Sequence, residues 1–169
     1  INKVLIVAIT SNRGLCGAFN SNIIKKAVAE SKNFESVSFL TIGKKGSEFF
    51  AKNGYNIASS HDQLFNDLTF ENTSLIAESI MDQYVSGKYD KVILVYNRFK
   101  NAAVQIIENE QFLPVLPPVN AEAQSSVDYI YEPEKTQILE ELIPRTLKVQ
   151  LFKALLDSNA AEHGARMTS

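Results

Sequence analysis

The chain has 169 residues, of which 45% are hydrophobic and 21% charged, and its formal net charge is −2. This length and composition suit one globular domain with a real core. The small net charge excludes a global attraction to nucleic acid or to an anionic membrane surface, although local patches can still exist. No apolar run approaches the ~20 residues of a transmembrane helix, and the single cysteine excludes an internal disulfide.

The first predicted element is a strand at residues 3–9, a nearly unbroken apolar run that is typical of a strand covered on both faces. A polar turn at residues 10–17 follows, and Asn20 and Ser21 are expected to cap the next helix. The pattern then predicts a helix at 22–31, a strand at 36–42, a short helix at 47–52, a short strand at 55–59 and a loop at 60–69.

The second half of the chain begins with a predicted amphipathic helix from residue 72 or 73 to 86. A strand at 91–96 and a turn at 97–101 follow. The mixed polar and apolar strand at 103–112 is typical of an antiparallel edge strand reached by a hairpin. The remaining predicted elements are an irregular connection at 113–126, an extended piece at 127–132, a helix at 134–143 and, after Pro144, a long helix to the end.

This alternation of strands and helices predicts an α/β fold, a Rossmann-like three-layer domain with a mostly parallel sheet and an antiparallel edge strand. We assign residues 1–143 to an α/β base domain and residues 144–169 to the start of a long C-terminal helix. The chain begins almost directly in a strand and ends within a helical pattern. We therefore interpret it as a segment of a longer protein.

A stripe of apolar and small residues, spaced alternately four and three apart, marks the last helix as one half of a coiled coil. At ~1.5 Å per residue the helix spans roughly 39 Å, more than the thickness of a compact domain of this size. We expect residues 159–169 to extend beyond the domain and to pair with a helix from elsewhere. For residues 147–156, packing on the domain's own sheet is an equal alternative. The stripe consists of Leu147, Leu151, Ala154, Ser158, Ala161, Ala165 and Thr168.

The turn at residues 13–20 lies between a strand and a helix, where backbone amides can hold a phosphate. It lacks both the Gly-x-Gly-x-x-Gly fingerprint and a Gly-Lys-Ser/Thr ending, and no acidic residue closes the second strand. We interpret its glycines as residues of a tight turn. A nucleotide- or flavin-binding doubly wound enzyme is kept as the alternative function.

Chemistry-bearing residues are sparse and scattered. Cys16, His61 and His163 lie far apart in sequence, so we expect neither a metal site nor a nucleophilic one. No pair of carboxylates has a spacing that suggests acid–base catalysis. The residues therefore favour a scaffold or interaction protein without a cofactor or catalytic residues. A free-standing module whose last helix binds an unrelated helix is a third possibility.

Three stretches resemble segments of the ATP synthase gamma subunit family. They are TSNRGLCGAFN at residues 10–20, YNRFKN at 96–101 and AEHGARM at 161–167, and they occur in the family's order across nearly the whole chain. Asn12 departs from the aspartate expected in many members, and His163 and Gly164 also vary from the usual pattern. Gly164 weakens a helix by ~1 kcal/mol relative to alanine.

The resemblance implies a central rotor-stalk subunit, which couples rotation of a proton-driven c ring to ATP synthesis in a ring of alpha and beta subunits. It implies contacts with the alpha, beta and epsilon subunits and with the c ring, and two long terminal helices wound together. The expected location is peripheral, on the cytoplasmic side of a bacterial inner membrane or the matrix or stromal side in an organelle. Neither nucleic acid nor a cofactor is implied.

The resemblance also implies subunit-interface residues. The turn at 13–20 is expected to lie toward the lower face of the catalytic ring, with Arg13 pairing with acidic residues there. Glu162 and Arg166 are expected to make polar contacts around the shaft. The complete expected interface set is Arg13, Leu15, Cys16, Phe19, Asn20, Leu151, Ala154, Ser158, Ala161, Glu162, Ala165 and Arg166.

Overall fold

The structure, a computed structural model, describes residues 2–116 and 143–169. The expected extended piece at 127–132 and most of the expected helix at 134–143 lie outside the described residues. In chain order the elements are β1 (Lys3–Ile9), α1 (Phe19–Ser31), β2 (Ser36–Ile42), α2 (Lys44–Lys52), β3 (Ile57–Ser60), a 3-10 helix (Leu64–Asp67), α3 (Phe70–Val85), β4 (Lys91–Asn101), β5 (Val104–Leu113) and α4 (Ile143–Thr168).

The described strands form one sheet in the order β3-β2-β1-β4-β5. Strands β1 to β4 run parallel, and β5 pairs antiparallel with β4 at one edge. Strand β1 is central and all but its first residue are buried, which explains its unbroken apolar sequence. The prediction of an α/β fold with a mostly parallel sheet and an antiparallel edge strand is confirmed.

Hydrophobic cores fill both faces of the sheet, as the alternation of side chains along β1 requires. Leu5 and Val7 lie on the face covered by α3 and α4, where they belong to one cluster with Ile80 and Leu151. Val4, Ile6 and Ala8 lie on the face covered by α1 and α2 and belong to the second cluster. Within that second cluster the rings of Phe39 and Phe50 stack with their centroids 4.2 Å apart.

Two predicted helix starts differ from the structure because the expected caps have other partners. Helix α1 begins at Phe19 without a side-chain cap. The Asn20 side chain accepts a hydrogen bond from the Ser11 amide (2.8 Å) instead, and the Ser21 hydroxyl donates to the Ala18 carbonyl. Helix α3 begins at Phe70 because the Thr69 hydroxyl oxygen accepts a hydrogen bond from the Asn72 amide (3.0 Å).

The predicted turn at residues 97–101 is wrong, because β4 continues as a strand to Asn101 and has 11 residues. Only Ala102 and Ala103 separate β4 from β5. The side-chain oxygen of Asn101 accepts hydrogen bonds from the amides of Ala103 (3.0 Å) and Val104 (2.9 Å), so it supports the tight turn directly. The hairpin of β4 and β5 is therefore longer than the sequence pattern indicated.

The expectation that residues 159–169 reach beyond the domain is also wrong. Ala161 is fully buried and Ala165 is 6% exposed, and both contact residues of the same chain. The physical reason is the length of β4, which at ~3.3 Å per residue extends roughly 36 Å and offers α4 a surface about as long as the helix. Every stripe residue except Thr168 is buried, namely Leu147, Leu151, Ala154, Ser158, Ala161 and Ala165.

Gly43 joins the end of β2 to the start of α2 in a conformation that requires glycine. Its φ is 108°, and an added Cβ would lie 2.4 Å from the Thr10 carbonyl oxygen. Gly54 also has a positive φ (76°), but nothing lies within 4 Å of the position its Cβ would take. A side chain at Gly54 would meet only the strain of a positive φ, whereas a side chain at Gly43 would meet that strain and a steric clash. Comparing the two positions therefore separates the two contributions to stability.

We predict that Gly43→Ala lowers the free energy of unfolding by about 3 kcal/mol or more, because backbone strain and a clash with fixed main chain add together. Gly54→Ala should lower it by only about 1 kcal/mol, from conformation alone. Denaturant unfolding followed by circular dichroism measures both changes. Equal costs for the two variants would show that crowding against Thr10 is unimportant.

Candidate interaction surface

The loop between β1 and α1, residues 10–18, is held by side chains rather than by regular secondary structure. The side-chain nitrogen of Asn20 donates to the Ser11 hydroxyl (2.9 Å), and that hydroxyl donates to the Arg13 carbonyl (2.6 Å). At the base of the loop, the Gly46 amide donates to the Thr10 hydroxyl (2.9 Å) and the Lys45 amide to the Ser11 carbonyl (3.0 Å). The loop is thus fixed to both α1 and α2.

Asn12 uses both halves of its side-chain amide. The nitrogen donates to the Asp62 carbonyl (2.9 Å), and the oxygen accepts from the Lys44 amide (2.9 Å). An aspartate could accept from Lys44 but could not donate to a carbonyl unless it were protonated. The asparagine therefore joins three segments in a way that the aspartate expected at this position would not.

The tip of the loop presents an unusually exposed apolar side chain. Leu15 has a φ of 62°, in the left-handed region that non-glycine residues rarely adopt, and it is 92% exposed. The backbone around this side chain is anchored. Arg166 Nη1 donates to the Gly14 carbonyl (3.0 Å), and the Ser169 hydroxyl donates to the carbonyl of Leu15 itself (3.4 Å). The end of α4 thus supports the loop and holds Leu15 out from the surface.

Below the tip, loop and helix share a small apolar cluster. Cys16 and Phe19 from the loop side pack with Ala161 and Ala165 of α4. The side-chain amide of the buried Asn97 on β4 donates to the Phe19 carbonyl (3.1 Å), which adds the hairpin to the same junction. Small residues at 161 and 165 are needed because the loop approaches the helix closely.

The expected interface residues fall into three groups by exposure. Arg13 and Leu15 are exposed and lie at the loop tip. Asn20, Glu162 and Arg166 are half-buried, and their described polar partners lie within the chain: Asn20 bonds Ser11, whereas Arg166 bonds Gly14 and forms an ion pair with Glu162. The buried members, which pack inside the chain's own fold, are Cys16, Phe19, Leu151, Ala154, Ser158, Ala161 and Ala165.

Several surface residues were missed by the sequence reasoning. Met167 is 80% exposed and lies between Arg166 and Ser169, the two residues of the C-terminal segment that bond the loop tip. Val149 and Leu156 are 51% and 46% exposed on the outer face of α4. The seven-residue interval between Val149 and Leu156 is the sequence signal for this face, which lies opposite the stripe that the spacing predicts as the partner-binding face.

The crevice in which doubly wound enzymes bind nucleotides lies at the carboxyl ends of the strands where the order reverses, here between β1 and β4. In this chain Phe19 and Asn97 occupy that junction. The first amides of α2 are also already bonded, Lys44 to Asn12 and Lys45 to Ser11. The junction is therefore occupied by the protein's own residues, and the first two amides of α2 already have partners within the chain.

Two other polar groups have structural partners. His61 lines a cleft of about 480 Å³ beside α3 and hydrogen-bonds the Ser59 hydroxyl (3.1 Å), and burial lowers the pKa of its imidazole. Burial, and then the hydrogen bond to Glu110, raise the pKa of the Tyr96 phenol.

Within residues 2–116 and 143–169 no group of three or more histidine, cysteine, aspartate or glutamate residues could hold a metal ion. No helix in that part of the chain is long and apolar enough to cross a membrane.

The fold and the surface define the class of protein. It is a Rossmann-like α/β domain in which Phe19 and Asn97 occupy the usual nucleotide crevice, and a long helix packs along one hairpin. A sequence model of the family described as ATP synthase matches residues 1–169. The chain therefore belongs to the ATP synthase family, and the relatives described next are gamma chains of that family.

An ATP synthase gamma chain of Christiangramia forsetii is 50% identical over 172 residues, which cover 100% of this chain and 59% of the relative. A gamma chain of Flavobacterium johnsoniae is 49% identical with the same coverage. The chain thus spans about three fifths of the length of these curated relatives. A solved structure of the Tetrahymena thermophila mitochondrial ATP synthase central stalk and c ring is similar with a TM-score of 0.76 at 26% identity, covering 99% of this chain and 74% of that one.

We predict that NAD, FMN and ATP at millimolar concentration leave the thermal midpoint of unfolding unchanged, because the crevice they would need is filled. A ligand that bound the native state at 100 times its Kd would stabilise it by about 2.7 kcal/mol, a shift that is readily seen. A thermal-shift screen with each compound measures this. A clear rise in the midpoint with any of the three would revive the enzyme alternative.

Proposed function

We propose that this chain is the base of the central rotor stalk of a rotary ATP synthase and that its role is mechanical. In this proposal it carries rotation of the c ring to the alpha and beta subunits, where ATP is made, and it also contacts an epsilon subunit. It takes part in no chemical step itself. It lies on the membrane complex as a peripheral part, on the cytoplasmic side in a bacterium or the matrix or stromal side in an organelle.

The observation that carries the proposal is Leu15, which is 92% exposed in a left-handed conformation while Arg166 and Ser169 bond the carbonyls of Gly14 and of Leu15 itself. A solvent-exposed leucine side chain adds no hydrophobic stabilisation to the fold, and the left-handed backbone conformation costs roughly 1–2 kcal/mol of stability. Strained backbone conformations cluster at functional sites, and an apolar side chain presented by an anchored backbone suits a contact with another protein. We infer that it inserts into a partner subunit of the catalytic ring.

Charge at the loop tip supports the same partner. Arg13 is exposed and has no ion pair within the described residues, whereas Arg166 is already paired with Glu162. Arg13 is therefore the guanidinium available to an acidic side chain outside this chain. Leu15 and Arg13 together favour a partner surface with an apolar pocket bordered by carboxylates.

The outer face of α4 is proposed to pair with a helix from the rest of the gamma chain. Because the small-residue stripe is buried in the domain, it is not available to a second helix. Val149, Leu156 and Met167 are exposed on the remaining face, at intervals of seven and eleven residues that suit a coiled-coil seam. The relatives are longer than this chain by about two fifths of their length, which leaves room for such a helix.

Leu15→Gly tests the loop contact without disturbing the fold, because glycine adopts the left-handed conformation freely. In an assembled ATP synthase the variant should fold at least as stably as the parent and yet lower coupled ATP synthesis by about fivefold or more. Val85→Gly is the matched control, since Val85 is 83% exposed at the C-terminal end of α3. Arg13→Glu should also lower synthesis, whereas normal synthesis in both loop variants would contradict this contact.

Leu156→Asp tests the helix pairing in the full-length gamma chain. A charge in a coiled-coil seam should lower the thermal midpoint of the full chain by several degrees, on the order of 1–2 kcal/mol. Leu75→Asp places the same change at an exposed leucine (65%) of α3, and it should leave the midpoint within a degree or so. Similar midpoints for the two variants would mean that the outer face of α4 faces solvent.

A further inference from the structure

Gly164 brings the backbone of α4 directly against the backbone of the hairpin turn. An added Cβ would lie 2.8 Å from the carbonyl oxygen of Ala102 and 3.0 Å from its Cα. Both atoms belong to the main chain, so they cannot rotate away as the end of a side chain would. Real Cβ atoms do not approach so closely, and any larger residue at 164 must push the turn away from the helix.

A second attachment holds the other end of the hairpin to the same helix. The side-chain nitrogen of Gln150 donates to a Glu110 carboxylate oxygen (2.8 Å) and to the Gln111 carbonyl (3.2 Å). The Tyr96 hydroxyl donates to the other oxygen of Glu110 (2.9 Å). The hairpin therefore lies along α4 with one polar attachment near residue 150 and one backbone contact at residue 164, about four helical turns apart.

Glycine at position 164 weakens the helix, since alanine is a better helix former and the neighbours on both sides tolerate side chains. The close approach of Ala102, which supplies the three atoms nearest to an added Cβ, explains a glycine at this position. The sequence also carries alanine, the smallest side chain after glycine, at both turn positions, 102 and 103.

We propose that the contact between Gly164 and Ala102 fixes the β4–β5 hairpin to α4, and that Gly164 is a positioning residue for torque transfer between the sheet and the shaft helix. The inference rests on the proposed rotor function. A hairpin attached at both ends moves with the helix as one body, so a twist applied to the sheet reaches α4 along its whole length. A hairpin detached at its tip would bend before it transmitted load.

The test is Gly164→Ala in the full-length gamma chain of an assembled ATP synthase. An alanine in open space would raise the thermal midpoint of unfolding because it favours the helix. We expect the midpoint to fall instead, and amide hydrogen exchange in a peptide covering residues 97–105 to accelerate about tenfold. The number of protons pumped per ATP hydrolysed should fall by about half, with the hydrolysis rate itself maintained. Lys25→Ala, at an exposed position of α1, is the control and should change none of these quantities.

A raised midpoint with unchanged exchange would overturn the contact, and unchanged pumping with a loosened hairpin would overturn the positioning role. Failure of the proposed rotor function would give a different result. In that case the full-length gamma chain without any substitution would not restore coupled pumping when added to a complex that lacks its gamma chain. The two failures are therefore distinguishable within one set of measurements.

Discussion

The packing of α4 against the β4–β5 hairpin is the constraint on which the rest of the structure depends. Small residues at 161, 164 and 165 let the loop after β1 and the hairpin turn approach the same helix, so three segments distant in sequence meet at one junction. That junction supports the loop tip and fills the crevice between β1 and β4. The exposed surface at Leu15 and the filled nucleotide crevice are two results of one packing arrangement.

Much of the fold follows from the sequence because burial leaves a periodic pattern. The continuous apolar run of β1 and the mixed pattern of β5 correctly indicated a central parallel strand and an antiparallel edge strand. The hairpin turn is misplaced by the sequence pattern because four of the five residues at 97–101 are polar. The Asn97 side chain donates to the Phe19 carbonyl and so serves a tertiary contact, whereas only Asn101, the last of the five, supports the turn itself.

The candidate surface was only partly predictable. The motif at residues 10–20 located the loop, but a positive φ at Leu15 and an anchor from Arg166, 151 positions further along, have no signature in a single sequence. The stripe on α4 correctly predicts a packing face; for residues 147–156 the spacing leaves the chain's own sheet and an outside helix equally open, and for residues 159–169 the expected outside partner is wrong. A spacing pattern shows that a face is buried and carries no information about what buries it.

Cys16 shows what the junction implies for accessibility. Its thiol is 2% exposed beneath the loop, close to the Ser11 hydroxyl, the Arg13 carbonyl and the Asn20 amide. Oxidants and alkylating reagents need an accessible sulfur, so they can react only when the loop lifts away from the end of α4. The rate at which reagents label this native thiol therefore measures how often the loop separates from α4, and no probe has to be introduced.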